Sequence, residues 1–123
     1  MNAETLLLRQ VNPKFMDGEV LTSQAFCPFS SDQGKLSVYD GDMISPAAAY
    51  DHWTNTLKNE SNGTWGVTGS EADTAGLGYA SDALENNEAH ALIDFTAHSN
   101  SQQRKRAKLL VAAAEARGCL HKP

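Results

Sequence analysis

The chain has 123 residues, with 10 Lys and Arg against 15 Asp and Glu, for a formal net charge of −5. That length accommodates one domain and excludes large barrels and most multidomain enzymes. Leu, Ile, Val and Phe make up about 19% of the residues, near the lower edge for a packed chain. With nine aromatic residues and a small net charge per residue, a folded domain with a modest core is expected.

Residues 6–11 predict a first strand, stopped by Asn12-Pro13 because proline cannot donate to a ladder. Residues 20–26 alternate in polarity and predict a second strand. Residues 35–39 predict a third, ended by Asp40-Gly41-Asp42. Ser45-Pro46 is a helix start: serine caps the first free amides, and proline at the next position loses nothing by lacking an N–H. The helix is expected over 46–58, with Ala49, Tyr50, Trp53 and Leu57 on its buried stripe and Trp53 at the centre of the core. A strand follows over 64–68. Residues 69–88, with three glycines and several acids, predict a long irregular loop with a helical turn after Ser70. The apolar run 89–95 predicts a central strand. Ser99 caps a last helix over 100–117, with Gly118 just past its end and Ala107, Leu110, Val111 and Ala114 facing inward. The expected fold class is α+β. One domain, 1–123, is expected to hold a small mixed or antiparallel sheet of about five short strands, with both main helices on one face.

Charge is divided along the chain. Residues 1–99 hold 4 basic and 14 acidic side chains; residues 100–123 hold 6 basic and 1 acidic. Arg104, Lys105, Arg106 and Lys108 crowd the first half of the last helix, where the helix dipole disfavours cations. Their expected use is binding, to a protein partner with an acidic surface. Nucleic acid is disfavoured, because the chain is acidic and no aromatic residue interleaves the cluster for stacking.

Catalytic candidates are few. Asp94 ends the apolar strand, His98 follows it by four residues and His90 precedes it by four; an Asp–His pair suits acid–base work. Arg9 is a candidate anion holder. Arg9, Gln10, Ser23, Gln24 and Tyr39 are polar residues on predicted strands that suit the lining of a cleft. Histidines and cysteines lack metal-site spacing, and no glycine pattern forms a phosphate loop, so no metal and no cofactor are expected. No segment reaches the roughly 20 apolar residues that cross a bilayer, and residues 1–10 lack the basic start of a secretory leader. A cytoplasmic location with free Cys27 and Cys119 is expected.

The leading expectation is a small cytoplasmic protein-binding module, an accessory, antitoxin or immunity component of a bacterial system. The alternative is a small enzyme, a nucleotide-handling transferase or hydrolase with a polar cleft. A third reading is RNA binding through the basic helix.

Overall fold

The computed structural model describes residues 1–123. β1 (Leu6–Gln10) leads through a short 3-10 turn (Pro13–Phe15) to a two-residue hairpin, β2 (Met16–Asp17) and β3 (Val20–Leu21). Two further 3-10 turns, Ser23–Phe26 and Ser30–Asp32, precede β4 (Lys35–Asp40). α1 (Pro46–Asp51) continues into one wider π-helical turn (His52–Thr56). Then come β5 (Thr64–Thr68), α2 (Gly69–Thr74), β6 (Gly78–Ser81), β7 (His90–Asp94) and α3 (Asn100–Arg117). The architecture is α+β, with a five-stranded sheet in the order β5-β1-β4-β7-β6, antiparallel throughout.

The two faces of this sheet are covered unequally. One face presents Leu7, Leu36, Val38, Val67, Ala91 and Ile93 to the main cluster of 19 buried residues. α2, α3 and the Ser23–Phe26 turn close over it. α3 contributes Ala107, Leu110 and Ala114, all fully buried, while Val111 is only partly covered. The opposite face has a smaller cluster of four buried apolar residues, Leu8, Tyr39, Ala49 and Ala89. α1 sits on the β1–β5 half of that face. The β4–β7–β6 half is left more open, with Ser37 exposed and His90 and Leu92 partly so.

Several expectations are corrected by this arrangement. The two main helices lie on opposite faces of the sheet rather than on one. Residues 20–26 are no continuous strand: after Leu21 the chain coils into the Ser23–Phe26 turn, which drives Ala25 and Phe26 into the core beside α3. The 69–88 stretch is not one loop. Thr68 accepts from the Glu71 amide at 3.1 Å, and Glu71 accepts from the Thr68 amide at 2.8 Å, a reciprocal cap that starts α2. Gly69 is required there, since a Cβ would stand 2.5 Å from the Tyr79 ring. β6 follows, leaving 75–77 and 82–89 irregular. Finally, Trp53 is half-buried rather than central: Ala49 alone is fully buried on α1, and the Trp53 indole donates to the Glu60 carbonyl at 2.9 Å.

α2 is tied to the end of α3 by Glu71 and Arg117, paired through two contacts of 2.8 and 3.1 Å. Burial disfavours charge on Glu71, but hydrogen bonds from Arg117 and Thr68 outweigh it and hold the carboxyl below its ordinary value. A carboxyl lowered on folding adds stability above its unfolded pKa, and that stability is lost as pH falls through the folded value. Glu71→Gln is therefore expected to cost about 1 kcal/mol near neutral pH. The thermal midpoints of variant and parent should converge on acidification below the usual carboxylate range. A second expectation separates the two cores. Phe26→Ala, at a site with 0% exposure, should lower stability by about 3–5 kcal/mol, and Trp53→Ala by clearly less, as read from urea midpoints.

Candidate functional site

A row of polar side chains crosses the open part of the sheet, and the strand register explains it. Tyr39 pairs with His90 and Ser37 with Leu92 across β4 and β7, so His90 lies diagonal to Ser37 on the same face. Ser81 pairs with Ala91 across β6 and β7, and the Asp82 amide donates to the His90 carbonyl at 2.9 Å. Asp82 therefore stands directly beside His90. The side chains join: His90 Nδ1 lies 3.1 Å from Asp82 Oδ2 and 2.9 Å from the Asp82 carbonyl, and Nε2 lies 3.1 Å from Ser37 Oγ.

The tautomer follows from the partners. A backbone carbonyl can only accept, so Nδ1 carries the proton, and in the neutral ring Nε2 is a bare acceptor facing the Ser37 hydroxyl. His52 is fixed by the same logic. Its Nε2 donates to the Asn86 carbonyl at 3.1 Å and its Nδ1 accepts from Tyr39 Oη at 2.8 Å. Burial pushes the Tyr39 hydroxyl up to about 12, so it remains a donor. Two histidines thus hold the 82–89 segment, His90 at Asp82 and His52 at Asn86.

Arg9 comes from β1 on the opposite side of the sheet, the side of Leu7 and Ala25. The β1–β4 ladder ends at Leu8–Tyr39, and the Arg9 side chain occupies the opening beyond it. Nε donates to the Ala25 carbonyl at 3.1 Å and Nη1 to the Ser37 carbonyl at 2.9 Å. Nη2 makes no hydrogen bond within the chain. Burial lowers the Arg9 pKa to about 10, with Asp32 acting in the opposite direction, so the group is a cation at neutral pH. Beside it opens a 260 Å³ cavity. Ser37, His90 and Arg9 form its polar wall; Trp53, Leu57 and Leu84 form its apolar wall. A second cavity of 240 Å³ shares Arg9, Gln10, Ser37 and Trp53 with it, so the two adjoin.

Of the sequence candidates, the structure brings Arg9, Gln10, Tyr39 and His90 together here. Ser23 and Gln24 line a separate 710 Å³ cavity against the start of α3, with Cys27 and Arg104. Burial pushes the Cys27 thiol up there, against the pull of Arg104. Asp94 lies outside the cleft and caps a turn, accepting from the Thr96 amide at 2.8 Å and from its hydroxyl at 2.6 Å. His98 bonds to the Gly76 carbonyl at 2.8 Å, so neither histidine pairs with Asp94. Ser37 and Asp82 carry no local signal as partners of His90, because 53 and 8 residues separate them from it.

The basic cluster divides. Arg104, Lys105 and Lys108 are exposed, with Leu109 beside them at 53% exposure. Arg106 instead donates to the Ala75 carbonyl at 3.1 Å, and its Nε is buried without a partner. The one Lys or Arg ion pair of the chain is Glu71–Arg117, so the acidic 71–88 stretch does not neutralise the cluster. No three His, Cys, Asp or Glu side chains converge as a metal site, and no helix is long and apolar enough to cross a membrane. No family model, no curated protein and no solved structure matches the chain.

The Thr96 hydrogen bonds hold the Asp94 carboxyl below its ordinary value. Asp94→Ala should then cost about 1 kcal/mol of stability at neutral pH, and this deficit should shrink as pH falls through the lowered carboxyl value. The NMR resonances of His90 and Ser37 should stay in place. A stable variant with a disturbed cleft would contradict the capping role.

Proposed function

We propose that this chain is a small enzyme of the hydrolase or group-transferase class, working on a small ligand in the cleft between β1, β4 and the 82–89 segment. The observation that carries this reading is the Asp82–His90 pair, which presents a bare Nε2 to a cavity that is also lined by the half-buried Arg9 cation. A histidine of fixed tautomer is a general base toward a hydroxyl or a water and returns the proton to a leaving group. Arg9 supplies a fixed positive charge for an anionic group of the ligand or for charge that develops in the reaction.

The test is a substrate panel: nucleoside mono- and triphosphates, p-nitrophenyl phosphate and small carboxylic esters, followed by 31P and 1H NMR. Turnover of at least one compound is expected, with His90→Gln slowing it by roughly 10²–10⁴-fold. No turnover of any of them, with His90 and Trp53 resonances unmoved throughout, overturns the reading.

A second reading, a module binding an acidic protein surface, is favoured by the exposed face of α3. Arg104, Lys105 and Lys108 surround an exposed Leu109 and have no internal acidic partner. Such a contact should weaken steeply with salt, because screening shortens from about 10 Å at 0.1 M to about 3 Å at 1 M. Replacing the three cations by glutamine should slow association more than it speeds dissociation, measured at two ionic strengths against a partner captured by the wild-type chain. Unchanged association rates would remove this reading.

A further inference from the structure

We propose that Ser37 is a covalent nucleophile, activated by His90 in the Asp82–His90–Ser37 chain, and that the cleft takes esters of short-chain carboxylic acids. This rests on the reading of the cleft as an enzyme site and names both its nucleophile and its substrate class.

Three neighbouring strands each contribute one member. β4 carries Ser37, β7 carries His90, and Asp82 lies just beyond β6. Both contacts of the imidazole are 3.1 Å, within reach for proton transfer from a hydroxyl to an oriented base. Ser37 is exposed and lines the cavity, so a substrate carbon can approach Oγ. The Asp82 side chain is 47% exposed, so its part is to fix the ring orientation alongside its own carbonyl rather than to act as a buried charge. Arg9 lies on the other side of Ser37, held 2.9 Å from that residue's carbonyl. Its free Nη2 can receive the negative charge of a tetrahedral intermediate. The apolar wall of Trp53, Leu57 and Leu84 suits a short alkyl chain, and a cavity of 260 Å³ limits its length.

The step balances without a cofactor. The Oγ–H proton passes to His90 Nε2 as Oγ bonds to the acyl carbon, and the carbonyl electrons move onto oxygen beside Arg9. The carbon–oxygen bond to the alcohol then breaks, and the alcohol leaves with the proton from Nε2. Water attacks the acyl-Ser37 ester, giving a proton to Nε2. The carboxylic acid departs as that proton returns to Oγ.

The experiment treats the full chain with an alkyl fluorophosphonate and, separately, with p-nitrophenyl acetate. With the fluorophosphonate, Oγ displaces fluoride and leaves a stable phosphonyl adduct, read by intact mass and peptide mapping. One adduct is expected, at Ser37, absent in Ser37→Ala and in urea-unfolded protein. It should form roughly a hundredfold more slowly in His90→Gln. Ser37 is exposed, so Ser37→Ala should keep the parent circular dichroism and thermal midpoint, which separates loss of the nucleophile from loss of the fold. Ester hydrolysis that survives Ser37→Ala but is lost in His90→Gln overturns the nucleophile while leaving His90 as a base toward water. No adduct and no ester hydrolysis overturns the nucleophile and the ester class; the substrate panel then decides separately whether the cleft is an enzyme site at all.

Discussion

The cleft depends on the register of β4 against β7. Side chains alternate between faces with a period of two, so a slip of one residue would turn Ser37 and His90 away from each other and expose Val38 and Ile93. The observed pairing runs from Lys35–Asp94 to Tyr39–His90. It is enforced from the buried side, where Leu36, Val38, Ala91 and Ile93 are at most 2% exposed. Burial of the apolar residues thereby sets the geometry of the polar ones on the reverse face. Asp82 follows from the same constraint, because β6 is registered on β7 through Ser81–Ala91.

The unequal covering of the sheet explains why a cleft exists at all. α3, α2 and the Ser23–Phe26 turn provide enough apolar surface to seal one face. α1 is short and small-sided, and its π-helical turn brings His52 and Trp53 only as far as the middle strands. The 82–89 segment, held by His52 and His90, covers part of what remains. A gap between those two covers lies over Ser37. Arg9 fills the opening where β1 and β4 part, replacing ladder bonds with side-chain bonds to the Ala25 and Ser37 carbonyls. A half-buried guanidinium with two carbonyl partners is both a structural tie and a fixed charge at the cleft wall.

The basic cluster on α3 belongs to a different surface. Cations at a helix start oppose the helix dipole, and only Arg106 has an internal use. The rest are solvated beside an exposed leucine on the outer side of the helix, away from the sheet. The enzyme reading and the contact reading therefore draw on separate residues, and each variant proposed for one leaves the other surface intact.

The sequence by itself determined the elements whose signals are local. The Ser45-Pro46 start of α1, the Ser99 cap and Gly118 end of α3, and the strands at β1, β4, β5 and β7 follow from caps, turn residues and alternation. The Thr68–Glu71 capping box that starts α2 was equally legible, but the glycines around it read as loop. Alternation also suggested a strand over 20–26; burial of Ala25 and Phe26 against α3 overrode it, since a 3-10 turn puts both into the core. Only the tertiary structure decided which polar residues meet. Arg9 and His90 stand out as single residues, but Ser37 and Asp82 become their neighbours through strand pairing. Asp94, prominent at the end of the apolar strand, is held instead by Thr96 two residues on. Hydrogen-bond partners distant along the chain are selected by register and by the packing of the opposite face, and neither is written in any short stretch of residues.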